Sequence, residues 1–99
     1  MPVQKDPEGS EKKILHKFVD FTNARVLEVG CGEGRLTWKY APASSLTIGF
    51  DPDLDALRIA RADSPPDLRN ERVCFAQASA KAIPLPKERF DIAILAWSL

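Results

Sequence analysis

With 99 residues the chain has room for one domain, and its 44% apolar and 28% charged residues describe a globular chain and exclude the polar, highly charged make-up of a disordered one. Fourteen basic residues balance fourteen acidic ones, with none of the dense Lys/Arg clustering that neutralises a row of phosphates, so nucleic acid is not indicated as a partner. No apolar stretch is long enough to cross a bilayer and the first ten residues have no signal-peptide core, so a cytoplasmic protein without membrane attachment is expected.

Residues 1–9 carry two prolines, a glycine and several charges and are expected to be a flexible leader ahead of a folded part at 10–99. From Ser10 to Asn23 the pattern predicts an amphipathic helix: Ser10 caps the first turn, and Ile14, Leu15, Phe18 and Val19 form an apolar stripe. Its other face holds Lys12, Lys13, His16 and Lys17 and is read as solvated, with no partner for His16.

Arg25 to Gly30 is a short apolar run that suits a buried strand, and Glu33 to Tyr40 is predicted to form the helix behind it. Leu46 to Asp51 is a second strand. Pro52 then opens a helix over Asp53–Ala62, with Leu54, Leu57 and Ala60 or Arg61 on its inner face. Ser64-Pro65-Pro66-Asp67 breaks that helix, Arg72–Gln77 reads as a third strand and Phe90–Trp97 as a fourth, with a loop over Ala80–Arg89. Strands separated by helical crossovers imply a parallel sheet with right-handed connections and helices on both faces.

The chemistry is concentrated in Glu28-Val29-Gly30-Cys31-Gly32-Glu33-Gly34, a G-x-G-x-G turn directly after the first strand. Glycines there adopt positive φ and let a ligand press against the backbone at the carboxyl end of a strand and the start of a helix. Asp51 ends the second strand, 21 positions after Gly30, where a carboxylate can accept both hydroxyls of a ribose. Together these residues indicate a nucleoside-type ligand, and spacing alone leaves a nicotinamide dinucleotide open. The loop favours a ligand without a pyrophosphate: a dinucleotide fingerprint is G-x-G-x-x-G, whereas Gly34 comes one residue sooner and Glu28 precedes the turn.

These motifs resemble those of the class I S-adenosylmethionine-dependent methyltransferases, particularly the small-molecule group known as type 11, over about residues 10–99. The family's acid-x-G-x-G-x-G motif matches Glu28, Gly30, Gly32 and Gly34, with Cys31 inside the loop, and its second acid and following proline match Asp51 and Pro52. Ala82–Leu95 (A-I-P-L-P-K-E-R-F-D-I-A-I-L) resembles the family's approach to its fourth strand.

The resemblance implies a Rossmann-like three-layer α/β sandwich with strand order 3-2-1-4. It also implies S-adenosylmethionine as cofactor and a small-molecule methyl acceptor. The glycine loop would hold the methionine part and ribose, and Asp51 the ribose hydroxyls. The family often places an acid for the adenine amino group where Ser79 stands here, which offers only a hydroxyl.

Family members continue past this point with further strands and helices, so the chain reads as truncated on the substrate side. Its fourth strand would be an apolar edge open to self-association or to a partner chain. No catalytic residue is assigned, and a non-catalytic cofactor-binding fragment is the alternative. Cys31 and Cys74 lack metal-knuckle spacing and are expected to be reduced, partly buried thiols; no metal site is indicated.

Overall fold

A computed structural model of the chain describes residues 10–66, 72–79, 81 and 89–96. The leader, Ser10 as a cap, most of the Ala80–Arg89 loop and Trp97 lie outside what is described. Four parallel strands, β1 (Arg25–Val29), β2 (Leu46–Asp51), β3 (Val73–Gln77) and β4 (Ile92–Leu95), form one sheet in the order β3-β2-β1-β4. Helices α1 (Ser10–Phe18), α2 (Thr37–Tyr40) and α3 (Leu54–Ala62) precede β1, link β1 to β2 and link β2 to β3.

Parallel register aligns Val26, Thr47 and Val73 in one row and Glu28, Gly49 and Phe75 in the next. Side chains alternate across a strand, so these residues share a face. Val26, Val73 and Phe75 pack there with Leu57 and Ala60 of α3, with Tyr40 and with Phe21, all of them buried. The two crossovers β1-α2-β2 and β2-α3-β3 step in the same direction. Right-handed connections that step the same way put their helices on the same side. The second helical layer expected from the sequence is not seen among the described residues.

Three helix boundaries differ from the sequence pattern, each for a local reason. Helix α1 ends at Phe18 instead of Asn23: Asp20 accepts the Thr22 N–H at 3.0 Å, and Asn23 sits at φ +57°. Only Leu15 and Val19 of the apolar stripe pack on the core, while Ile14 and Phe18 are 56% and 76% exposed. His16 does find a partner: its Nε2 lies 3.0 Å from the Lys39 carbonyl oxygen and its ring meets Phe21 edge-on. Phe21 in turn stacks on Tyr40 with ring centroids 4.8 Å apart.

The second helix covers only Thr37–Tyr40, because Gly34 takes φ +84° and residues 32–36 form turns. The third begins at Leu54, with Asp53 and not Pro52 at its start. The Asp53 side chain accepts the N–H groups of Asp55 and Ala56, satisfying two of the orphan donors of the first turn. Leu57 and Ala60 are buried as the pattern requires, but Leu54 is half-exposed. Strand β4 is pinned to β1 by Asp91, whose carboxylate takes the Arg25 backbone N–H at 2.9 Å and its guanidinium at 3.1 Å.

Candidate functional site

The carboxyl ends of β1, β2 and β4 converge on a cavity of about 620 Å³, well within the size range of small-molecule sites. It opens where the strand order reverses, between β1 and its two neighbours, which is where open α/β sheets bind ligands. Its wall includes Glu28, Gly30, Cys31, Gly32, Asp51 and Leu95.

The glycine loop is set by its own backbone. Gly30, Gly32 and Gly34 have φ of +82°, +56° and +84°, a region that side chains disfavour. The N–H groups of Gly30 and Cys31 both donate to the Phe50 carbonyl, at 2.7 and 3.1 Å, tying the loop to the end of β2. A Cβ on Gly32 would meet no atom within 4 Å, which leaves the backbone bare toward the cavity. Gly34 acts differently, since a Cβ there would come within 2.9 Å of Trp38 Nε1 and 3.2 Å of Ala60. Gly34 therefore allows close packing and is not among the residues lining the cavity.

Asp51 is 9% exposed and joins the two halves of the site. Its Oδ2 accepts the Gly32 N–H at 2.9 Å and its Oδ1 the Asp53 N–H at 2.9 Å. A carboxylate offers about four lone-pair positions, so roughly two remain for a ligand.

Glu28 is fully buried on the helix-covered face. Its Oε1 accepts the hydroxyls of Thr37 and Tyr40 at 2.6 and 2.5 Å, and Oε2 has no partner among the described residues. Burial raises its pKa above the ordinary value, against the two hydroxyl bonds that lower it. Burial, with the negative charge of Glu28, also pushes the Tyr40 phenol up. The Cys31 thiol is pushed up to about 12 by burial and by the charges of Glu28 and Asp51, so it stays protonated.

Of the residues the sequence singles out, Glu28, Gly30, Cys31, Gly32 and Asp51 come together on the cavity wall. Pro52 does not line it; its carbonyl instead accepts the Gln77 side-chain amide at 3.0 Å. Ser79 follows β3, is exposed and also lies off the wall. The short α2 starts three residues after the last glycine, so turned backbone, and not the start of a helix, faces the cavity.

Sequence reasoning missed Glu33 and Arg35, which lie within and next to the loop and whose charge was the available signal, and Asp53, read only as a helix residue. It also missed Leu95 and Ala96, which reach the cavity only through the β1–β4 pairing. Cys31 is buried, whereas Cys74 is exposed on β3. Among the described residues no cluster of metal-ligating side chains is present, and no helix is long and apolar enough to cross a membrane.

A parallel sheet in this order, with a glycine loop and a strand-end acid at its switch point, defines a nucleoside-binding α/β domain. Residues 26–99 match the family described as "Methyltransferase domain", and the chain belongs to it, within the class I S-adenosylmethionine-dependent methyltransferases.

The chain is 28% identical over 90 residues to the demethylmenaquinone methyltransferase of Lactococcus lactis, covering 88% of this chain and 35% of that protein. It is 28% identical over 86 residues to the uncharacterized methyltransferase YcgJ of Bacillus subtilis, covering 86% of this chain and 34% of that one. The crystal structure of YcgJ superposes with a TM-score of 0.74 at 26% identity, over 85% of this chain and 36% of that one. An S-adenosylmethionine-dependent methyltransferase from Mesorhizobium loti superposes with a TM-score of 0.69 at 25% identity, over 84% of this chain and 37% of that one. The chain thus spans about a third of the length of the relatives it matches.

Proposed function

We propose that this chain is the cofactor-binding part of an S-adenosylmethionine-dependent methyltransferase that acts on a small-molecule acceptor. The observation that carries the reading is the bond from the Gly32 N–H to Asp51 Oδ2. It locks a bare glycine turn against the strand-end carboxylate at the switch point. The residues present fit the cofactor: bare backbone at Gly32, spare acceptor positions on Asp51, and a buried carboxylate oxygen on Glu28 without a partner among the described residues. The acceptor class is supported by the relative from Lactococcus lactis, which is named for demethylmenaquinone.

The cofactor, when bound, supplies an electrophilic methyl group on a positively charged sulfur, so the transfer depends on alignment more than on covalent help from the protein. Asp51 holds the ribose hydroxyls. Glu28 Oε2 accepts from an ammonium group, which relieves the cost of its buried charge and favours its ionised form. Cys31, kept as a neutral thiol, would be a poor nucleophile toward that methyl group. Among the described residues β4 pairs with β1 alone.

The test is calorimetric titration with S-adenosylmethionine, with its demethylated product and with a nicotinamide dinucleotide, alongside Asp51→Ala. We expect the first two to bind, and the substitution to weaken them by about ten- to a hundredfold, as losing charge-assisted hydrogen bonds does. Tighter binding of the dinucleotide would overturn the reading. Binding with no turnover of any acceptor would leave the non-catalytic fragment in its place.

A further inference from the structure

The residues lining the cavity include four acidic ones, Glu28, Glu33, Asp51 and Asp53, and among those described one basic one, Arg35. Arg35 stands directly after the glycine loop, and its side chain is 69% exposed, so it is not a packing residue. Its Nη1 is bonded to Glu11 Oε1 of α1, and the same oxygen takes the Lys39 ammonium at 2.5 Å. Hydrogen bonds from Lys39 and then Arg35 lower the Glu11 pKa, so Glu11 is ionised near neutral pH.

A cationic side chain among four acidic lining residues is repelled by none of them, and Arg35 has an anchoring anion of its own, Glu11, outside the wall. Among the described residues of the wall it is the group able to recognise a ligand carboxylate, through the fork of donors that a guanidinium keeps when one nitrogen is engaged.

From this arrangement we infer that Arg35 binds the carboxylate of the ligand's amino-acid end, with Glu11 as a positioning residue that holds the guanidinium at the cavity rim. The inference rests on the cofactor reading above. It divides the work on a zwitterion by charge: Glu28 takes the ammonium, Arg35 the carboxylate. It also gives α1 a function that its packing does not explain, since most of its surface is exposed.

The experiment compares S-adenosylmethionine with its decarboxylated analogue, which keeps the ammonium, sulfonium and nucleoside but lacks the carboxylate, by calorimetry on the full chain. For Arg35→Met we expect the affinity for S-adenosylmethionine to fall by about tenfold or more, while the decarboxylated analogue binds as it does to the unaltered chain. Arg35→Lys should restore part of the loss. Glu11→Gln should lower the preference for the carboxylated ligand about threefold, a change of ratio that a merely structural role would not produce.

Equal weakening of both ligands in Arg35→Met, or no weakening of either, overturns the inference while the cofactor reading stands. Failure of the unaltered chain to bind either ligand overturns both.

Discussion

The two faces of the sheet are made from similar residues and end in different states. On one, Val26, Thr47, Val73 and Phe75 are buried under Leu57, Ala60, Tyr40 and Phe21. On the other, only Val29 and Phe50 at the carboxyl end are buried, Leu27 and Ile48 are half-buried, and Cys74, Ala93 and Leu95 are exposed. Hydrophobicity does not distinguish the faces. The direction of the crossovers does, because both described connections step from β1 toward β3 and so cover the same side. The covered face also carries Glu28, a fully buried acid, so the core of the fold and the floor of the site are the same structure.

The sharpest break in this contrast should come from Leu57→Ala, which empties space under the covered face and should cost about 2–5 kcal/mol. Denaturant unfolding would show it, and a loss under about 1 kcal/mol would mean that α3 is not the main cover of the sheet.

Glu28→Gln tests the charge within the covered face. The folded-state pKa of Glu28 is raised, so the folded chain holds this proton to higher pH than the unfolded chain does. The unfavourable buried charge is therefore absent at low pH and appears as pH rises through the raised pKa. We expect the substitution to stabilise the chain by about 1 kcal/mol at neutral pH. The gain should fade toward the ordinary carboxylate value of 4.5, and cofactor affinity should fall at the same time. Thermal melts across that range measure the first effect and titration the second.

The smallest effect belongs to the open face. Leu95→Ser, at a residue 64% exposed, should change stability by no more than about 0.5 kcal/mol. Light scattering should show less self-association than in the unaltered chain if the β4 edge pairs between copies; a monodisperse monomer in both samples would remove that pairing.

Much of the fold is legible in the sequence because its signals are local. The run L-T-I-G-F-D marks β2 at the bounds the structure shows, and the acid and glycines around β1 mark the cavity wall. The helices are less legible, and the reasons are physical. The stripe of Ile14, Leu15, Phe18 and Val19 has the pattern of a core face, yet only Leu15 and Val19 reach the core, because the helix lies on α2 and the Phe21 ring and not flat on the sheet. The stretch from Glu33 to Tyr40 has helical composition, but Gly34 at φ +84° holds its first half as turns. Pro52 occupies a motif position and Ser79 stands where the family's pattern has an acid, yet neither lines the cavity.

The sequence by itself determined where the strands lie, that they run parallel and which loop lines the cavity, because period, glycine placement and strand-end charge act over a few residues. Tertiary structure alone decided the rest. It brought Leu95 and Ala96 to the cavity that Asp51 lines through the pairing of β4 with β1, and it joined Glu11 to Arg35 across 24 positions. It also left Glu28 with one oxygen bonded and the other bare among the described residues. These are contacts between segments far apart in the chain, and their geometry is fixed by how the elements pack, which no local pattern records.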